Sequence, residues 1–355
     1  MTIAEIAEQA IPFGLKLNGK FRNTQTRTGV LISGPSGWGE FAPFPEYGDE
    51  ICAKWLAGAL ESAFGTFPEK LRSSVPVNSI IPILNVEQTI SAVESAANVY
   101  GMKTFKVKVA DSTPDSLASD ESRVKAVRTT LDRLGIEGKI RIDVNGQWNI
   151  DQAMQAIPIL EQAAGGLDYI EQPCSTIAEL IELKNKMQNW TQPIQIAVDE
   201  TLRLAETIDV AQIKLAADIL VVKAIPLGGV QNALDLVTEI GLPAVVSGSL
   251  DTSVGLSSGI ALAASIPQLY GACGLGTGTL FAEDLVTPTT LPTNGELVVR
   301  RASPDAHLLA SSAAKVSDVD RLWWHERIVR AWQSGANELV SPSVREAVER
   351  WPQMQ

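Results

Sequence analysis

From residue 79 onward, short apolar strands alternate with helical segments, and this alternation most constrains the fold. The predicted strand–helix pairs are 80–84 with 86–100, 105–109 with 119–134, 140–144 with 150–163, 168–171 with 177–187, 194–199 with 205–210, 219–224 with 229–240, and 244–249 with 253–265. Residues 274–277 are the candidate eighth strand. Eight such units predict an α/β fold with a (β/α)8-type barrel. A doubly wound open sheet is the alternative, but no GxGxxG motif follows the first strand.

The segments outside this alternation predict a second, smaller domain. The N-terminal part reads as antiparallel strands at 11–17, 28–32 and 38–41, followed by a helix at 51–64. After residue 281 the pattern breaks again, with a strand predicted at 296–300 and a helix at 319–333. We predict that this tail packs on the first segment, with units at 1–78, 79–285 and 286–355.

Composition excludes several classes of partner. The net charge of −12 argues against nucleic acids and anionic membrane surfaces as partners. We find no apolar run of transmembrane length and no basic cluster in the first ten residues, so we expect a cytoplasmic protein. The three cysteines are scattered and predict neither a disulfide framework nor a zinc site. The oligomeric state stays open, a monomer included.

Charged residues stand within or just after five successive apolar strands. A charge in a buried strand costs several kcal/mol unless it is paired or bound to a metal. These residues are Lys106, Lys108, Asp143, Glu171, Asp199 and Lys223. Side chains alternate along a strand, so Lys106 and Lys108 share one face, opposite Phe105 and Val107. In a barrel the polar face is the interior, and the carboxyl ends of the strands form the catalytic mouth.

Three of these residues are carboxylates on consecutive strands, and they predict a metal site. Asp143, Glu171 and Asp199 would repel one another without a cation. Hard oxygen ligands without Cys or His favour Mg²⁺, or another divalent cation such as Mn²⁺, over zinc. The alternative is that each is an ordinary strand-end residue or helix cap.

The lysines flank the predicted metal site on the second and sixth strands. Burial and nearby cations favour the neutral form of a lysine, which can then act as a general base. A divalent cation stabilises the negative oxygen that forms when a proton leaves the carbon next to a carboxylate. The pattern therefore predicts abstraction of an α-proton from a small carboxylate substrate. Salt bridging to the carboxylates is the alternative role, above all for Lys106.

These motifs resemble the enolase superfamily, in particular its muconate-lactonizing subgroup. The resemblance rests on Lys106-Val-Lys108, Asp143-Val-Asn145, Glu171-Gln-Pro173, Asp199-Glu200, and Lys223 followed by Gly228-Gly229. It covers about residues 79 to 285. The resemblance implies a barrel closed by an α+β capping domain that both termini build.

Within the subgroup, GWGEFAPFPEY (residues 37–47) resembles the o-succinylbenzoate synthases. That resemblance implies a Mg²⁺-dependent lyase of menaquinone synthesis. Such an enzyme dehydrates 2-succinyl-6-hydroxy-2,4-cyclohexadiene-1-carboxylate to o-succinylbenzoate. The aromatic residues Phe41, Phe44 and Tyr47, together with the segment 19–28, match the loops that close over the substrate, although plain packing of the cap is their alternative role.

The resemblance also implies a role for each site residue. Lys108 removes the α-proton and then protonates the leaving hydroxyl, Lys223 stabilises the enediolate, and Lys106 supports Lys108 or reacts itself. Asp143, Glu171 and Asp199 hold the metal, and Asn145 and Glu200 support these ligands. The residues implied in binding substrate are Arg141, Gly248, Ser249 and Gly276.

Two other functions remain open. An N-acylamino acid racemase needs Lys108 and Lys223 as bases on opposite faces, and both lysines are present. A metal-binding barrel without catalysis is the remote alternative. Dipeptide epimerases are disfavoured because the eighth strand region lacks their Asp-x-Asp motif, and the barrel lacks the histidine of mandelate racemase relatives.

Overall fold

A computed structural model of the chain describes residues 2–21, 24–111, 113, 116–205 and 207–351. The strands are β1 Ile11–Phe21, β2 Thr24–Gly34, β3 Gly37–Phe41, β4 Ser74–Pro76, β5 Ser79–Ile81, β6 Thr104–Lys108, β7 Lys139–Asp143, β8 Leu167–Glu171, β9 Ile196–Val198, β10 Ile219–Val222, β11 Ala244–Val246 and β12 Glu296–Val298. The helices are α1 Ile3–Gln9, α2 Asp49–Phe64, α3 Val86–Tyr100, α4 Ser116–Arg133, α5 Ile150–Ala164, α6 Ile177–Met187, α7 Glu200–Arg203, α8 Val210–Ala216, α9 Val230–Ile240, α10 Ser253–Ser265, α11 Ala306–Ala313, α12 Asp318–Ala331, α13 Asn337–Leu339 and α14 Pro342–Arg350.

The barrel is a curled parallel sheet in which β5 to β11 follow one another in chain order. Isolated parallel bridges from Val77 to Cys273 and from Ser247 to Gly274 join its two edges. The predicted (β/α)8-type barrel with a cap is therefore confirmed. Parallel strands in this order place all their carboxyl ends at one rim, where a site can form.

The eighth strand is much shorter than the prediction of 274–277. Within the predicted range the structure shows a strand bridge at Gly274, next to that of Cys273, whereas Gly276–Leu280 form a 3₁₀-helix. A Cβ on Gly276 would lie 2.8 Å from the carbonyl oxygen of Asn78, so glycine permits this close approach. The chain therefore turns into this 3₁₀-helix instead of continuing as a strand.

Local signals explain where the barrel helices begin and end. Capping boxes start α3, α5 and α6, where the N-cap side chain and the third helical residue exchange hydrogen bonds with the backbone. Gly101 and Gly165 end α3 and α5 in the left-handed conformation that glycine adopts without a steric penalty. The predicted helix at 205–210 is misplaced, because Asp209 caps the N-terminus of α8 instead.

The cap is built from both ends of the chain. Strands β1 to β3 form an antiparallel sheet that packs on α2, and α1 and α12 complete the layer. One buried apolar cluster contains Phe13 and Leu60 from the N-terminal part together with Trp324 and Val344 from the tail. The tail also pairs β12 with β4, and the unit boundaries at 78/79 and 285/286 stay a prediction.

None of the described helices is long and apolar enough to cross a bilayer.

Candidate active site

The charged residues of the strand ends meet at one rim of the barrel. Lys108 ends β6, Asp143 ends β7 and Glu171 ends β8, and the register pairs Lys108 with Asp143 and Asp143 with Glu171. Asp199 follows β9 and Lys223 follows β10. A pocket opens between this rim and the cap, lined by Phe44, Tyr47, Ile80, Lys106, Lys108, Asp143, Asn145, Asp199, Arg203, Lys223, Ser247, Gly248, Ser249, Leu250 and Thr277.

Ammonium groups and carboxylates alternate around the rim. Lys106 Nζ lies 2.7 Å from Glu171 Oε1 and 3.1 Å from Asp143 Oδ2. Lys108 Nζ lies 2.6 Å from the same Asp143 oxygen. On the other side, Lys223 Nζ lies 2.5 Å from Asp199 Oδ2. Lys108 and Lys223 thus flank the carboxylates from opposite sides of the pocket.

These ion pairs are buried, so each charge strongly affects the pKa of the neighbouring carboxyl groups. Burial opposes ionisation of Asp143, but the ammonium groups of Lys108 and Lys106 hold the pKa of its carboxyl well below the usual value. In the same way Lys223 and Arg203 lower the pKa of Asp199 against the effect of burial. Burial raises the pKa of Glu171 to about 7, and repulsion from Asp143 adds to this while Lys106 opposes it.

The side chains here have the chemistry that a hard divalent cation prefers. Three buried carboxylates carry oxygen atoms, and Asp143 and Asp199 are both close enough to raise the pKa of Glu171. In the described residues no three His, Cys, Asp or Glu side chains converge as a ready-made metal-binding group. Lysine ammonium groups lie between the carboxylates and supply the positive charge there. The assignment of Asp143, Glu171 and Asp199 as metal ligands stays a prediction.

Polar side chains beside the carboxylates form a hydrogen-bond network with the neighbouring residues. Asn145 accepts a hydrogen bond from Lys108 Nζ at 2.7 Å and donates one to Glu200 Oε1 at 3.2 Å. Glu200 Oε2 is buried and has no hydrogen-bond partner among the described residues. Gln172 Oε1 accepts from the backbone N–H groups of Asp199 and Thr201, at 3.0 and 3.2 Å. The predicted supporting residues Asn145 and Glu200 therefore lie beside the predicted ligands.

Arg203 is a site residue that the sequence analysis missed. Its Nε lies 3.1 Å from Asp199 Oδ1, its Nη2 lies 2.6 Å from Glu200 Oε1, and it lines the pocket. Its place three residues after Glu200 on α7 was the available signal, because residues three apart share a helix face. Because the sequence predicted the helix at 205–210 instead, it did not indicate that Glu200 and Arg203 share a helix.

Arg141 lies inside the barrel and does not line the pocket. Its guanidinium donates to Asp168 Oδ2 at 2.8 Å and to the carbonyl of Ala272 at 2.6 Å, and it stacks over the Tyr169 ring. The side chain is 1 % exposed and is not among the pocket-lining residues. These contacts occupy the guanidinium inside the barrel, and the assignment of Arg141 to substrate binding stays a prediction.

The predicted substrate-binding loop reaches the pocket only in part. Gly248 and Ser249 line it, but their N–H groups donate to Gly274 O at 2.9 Å and to Asp251 Oδ2 at 2.7 Å. Gly276 is not a lining residue, whereas its neighbour Thr277 is. The Thr277 hydroxyl is buried and lacks a hydrogen-bond partner in the described part of the chain.

The predicted lid residues divide between the pocket and the cap core. Phe44 and Tyr47 line the pocket, whereas Phe41 is fully buried and packs edge-on against Trp324. From the segment 19–28, Arg27 reaches the rim and donates to the carbonyl of Leu250 at 2.9 Å. Arg22 and Asn23 of that segment lie outside the described residues.

Family models match both parts of this architecture. Residues 13–63 match a domain described as enolase N-terminal domain-like, and residues 88–304 match one described as enolase C-terminal domain-like. The second match alone covers more than half of the chain, and it includes the strands that carry the six charged residues.

Curated relatives narrow the family further. An o-succinylbenzoate synthase from Thermobifida fusca is 42% identical over 90% of this chain and 94% of its own length. Proteins of the same name from Mycobacterium ulcerans and Mycolicibacterium smegmatis are each 41% identical, over 92% and 91% of this chain and 94% and 95% of their own lengths. The chain belongs to the o-succinylbenzoate synthase family of the enolase superfamily. The predicted superfamily and enzyme class are thereby confirmed.

Solved structures show how this o-succinylbenzoate synthase family member is folded. A muconate lactonizing enzyme from Pseudomonas putida has a TM-score of 0.66 at 20% identity and covers 85% of this chain and 98% of its own. An L-Ala-D/L-Glu epimerase from Bacillus subtilis has a TM-score of 0.66 at 18% identity, covering 83% and 96%. At identities this low, the similarity shows a shared fold and nothing more. Enzymes of the superfamily generally use a divalent metal ion.

Proposed function

We propose that the chain catalyses the Mg²⁺-dependent syn-dehydration of 2-succinyl-6-hydroxy-2,4-cyclohexadiene-1-carboxylate to o-succinylbenzoate, a step of menaquinone biosynthesis. The observation that carries this proposal is about 41% identity to o-succinylbenzoate synthases over nine-tenths of the chain. The geometry supports it, because Lys108 pairs with Asp143 and Lys223 pairs with Asp199 at the wall of one pocket.

Lys108 is the proposed base. Its ammonium nitrogen lies at the pocket wall, and its side chain is 24% exposed, whereas that of Lys106 is 6% exposed. Lys108 therefore has the better access to a substrate, and Lys106 pairs with the buried Glu171 and Asp143. In the proposed reaction the neutral amine of Lys108 takes the α-proton and becomes an ammonium. That ammonium then gives a proton to the hydroxyl as the carbon–oxygen bond breaks, and water leaves from the same face.

Lys223 faces the pocket from the opposite side and is the proposed electrostatic partner. Paired with Asp199, it holds a positive charge where the substrate carboxylate becomes an enediolate. The proposed ligands Asp143, Glu171 and Asp199 would hold Mg²⁺, which supplies further positive charge to that carboxylate. Phe44 and Tyr47 cover the pocket and exclude water from it.

The test compares dehydration with racemisation. Purified protein with Mg²⁺ is incubated with the cyclohexadiene substrate, whose ultraviolet absorbance is followed, and with N-succinyl amino acids in parallel. We expect rapid loss of the cyclohexadiene. Racemisation without dehydration would instead support the N-acylamino acid racemase, for which Lys108 and Lys223 also stand on opposite sides.

Substitution of the proposed base makes this test specific. Lys108→Ala should abolish turnover with an unchanged circular dichroism spectrum. Lys103→Ala, at an exposed lysine before β6, is the matched control and should keep full activity. Turnover by Lys108→Ala would reject the assigned role of Lys108.

A further inference from the structure

Arg203 joins the barrel to the cap. Its side chain is 8% exposed, and two of its nitrogens hold Asp199 Oδ1 and Glu200 Oε1 on the barrel. The third, Nη1, donates to the hydroxyl of Tyr47 at 3.3 Å. One planar guanidinium therefore connects a proposed metal ligand to a lid residue. Its fixed fork geometry makes such a connection directional.

Tyr47 is also anchored within the cap. Its carbonyl accepts from Arg327 Nη2 at 2.8 Å, and the same nitrogen holds the carbonyl of Phe44 at 2.7 Å. Arg327 belongs to α12 of the C-terminal tail and is 1% exposed. The Tyr47 ring also packs edge-on against Phe44, with 5.7 Å between the ring centroids. Any movement of the cap therefore carries Tyr47 with it.

The pocket in this conformation is too small for the proposed substrate. Its cavity volume is about 60 Å³, whereas pockets for small organic ligands usually begin near roughly 300 Å³. Entry of a ring with a succinyl chain therefore requires the lid to move away from the rim. Because Tyr47 moves with the cap and Arg203 stays with Asp199, that movement breaks the hydrogen bond between them.

We propose that Arg203 is a positioning residue that latches the cap, through Tyr47, to the strand end carrying Asp199. The inference rests on the proposed function for its substrate, but the latch itself is a property of the fold. When the cap closes, Nη1 regains the Tyr47 hydroxyl, and the guanidinium is held by partners on both domains. Closure and the orientation of Asp199 are thereby coupled.

Hydrogen exchange tests the latch without substrate. Tyr47→Phe keeps the ring packing and removes the hydroxyl, and Arg203→Met removes the donor. Each single variant should speed amide exchange in residues 41–48 of the substrate-free protein. The double variant should exchange no faster than Arg203→Met. Equal acceleration by Tyr47→Phe in the wild-type and Arg203→Met backgrounds would overturn the latch, as would unchanged exchange in either single variant.

Kinetics test the same coupling during turnover. Tyr47→Phe should lower kcat/KM about tenfold, as expected for a hydrogen bond to a charged group, and should have a much smaller effect in the Arg203→Met background. Arg203→Lys keeps the positive charge, so its kcat/KM should fall less than that of Arg203→Met. Tyr270→Phe, which removes a hydroxyl bonded to Gln195, is the matched control and should leave kcat/KM unchanged. Additive effects of Tyr47→Phe and Arg203→Met would contradict the latch.

The two experiments separate the latch from the proposed reaction. If the cyclohexadiene is not turned over but the exchange rates are coupled, the latch stands and the proposed function fails. If turnover is normal and exchange is uncoupled, the opposite holds.

Discussion

Glu40 shows how one buried carboxyl connects the cap to the barrel. It lies on β3 and accepts hydrogen bonds at the N-terminus of α10, from Thr252 Oγ1 at 2.5 Å and from the backbone N–H of Gly255 at 3.1 Å. Burial raises the pKa of Glu40 to about 8, and the carboxylate of Asp251 adds to this, while Thr252, Arg27 and Gly255 oppose it. Glu40 therefore binds a proton in the folded protein at pH values where the unfolded chain has lost it.

This difference predicts a pH dependence of stability. The usual pKa is 4.5, so between that value and about 8 the folded state holds more protons, and the free energy of unfolding falls as the pH rises. One such proton contributes a slope of at most about 1.4 kcal/mol per pH unit. Glu40→Gln should flatten the curve between pH 6 and pH 8, measured by urea unfolding. Asp251, whose pKa burial also raises, should leave a residual slope.

The matched control is Glu8→Gln, at an exposed glutamate of α1. It should keep the wild-type pH dependence. A Glu40→Gln curve that runs parallel to the wild-type curve would contradict the protonation of Glu40 in the folded state.

The sequence predicted in part which charged side chains point into the barrel. Alternation along β6 and β7 correctly predicted that Lys106, Lys108 and Asp143 share the barrel interior, because side-chain direction in a strand follows position. The same alternation places Arg141 inside the barrel but says nothing of depth. Its pairing with Asp168 depends on which layer of the barrel it occupies, and only the register of the strands decides that.

At the scale of elements, β3 and α2 approach so closely that only glycine fits between them. A Cβ on Gly39 of β3 would lie 1.9 Å from the carbonyl oxygen of Ala59, and one on Gly34, at the end of β2, would lie 2.3 Å from that of Ala63. These glycines let the sheet of the cap pack closely on α2, and the lid residues follow β3 directly.

Gly39→Ala should therefore destabilise the protein by about 1–3 kcal/mol or more, because backbone must shift to admit the methyl group. Urea unfolding measures the loss. Gly19→Ala, at an exposed position of β1 with nothing within 4 Å of the added Cβ, is the control and should have little effect. Similar stability of the two variants would show that β3 and α2 separate without cost.

Element boundaries followed local signals where those were strong. The helix at 253–265 was predicted at its observed limits, and the capping boxes account for the starts of α3, α5 and α6. The eighth strand was predicted too long, because the conformation of this segment depends on the close contact of Gly276 with Asn78, which is distant in the sequence. Helix α1, with its Thr2 and Glu5 capping box, was overlooked.

At the scale of the whole molecule, the proposed metal ligands come from three strands of one sheet. A cation that binds only the folded arrangement stabilises the protein by mass action. Mg²⁺ should therefore raise Tm, and a chelator should reverse the gain. At about 100 times Kd the stabilisation is about 2.7 kcal/mol.

The Mg²⁺-dependent shift in Tm, recorded by calorimetry, should be lost in Asp143→Asn. Asp151→Asn, at an exposed aspartate of α5, should keep it. A full shift in Asp143→Asn would remove Asp143 from the ligand set.

The sequence by itself determined the barrel, the strand ends that carry charge and the family, because periodicity and motifs are local properties of a chain. The tertiary structure decided which charges meet and which are used elsewhere. Arg203 joins Tyr47 from more than 150 residues away, and Arg141 turns to Asp168. Such partners depend on strand register and on the docking of the cap, which are set by packing across the whole molecule.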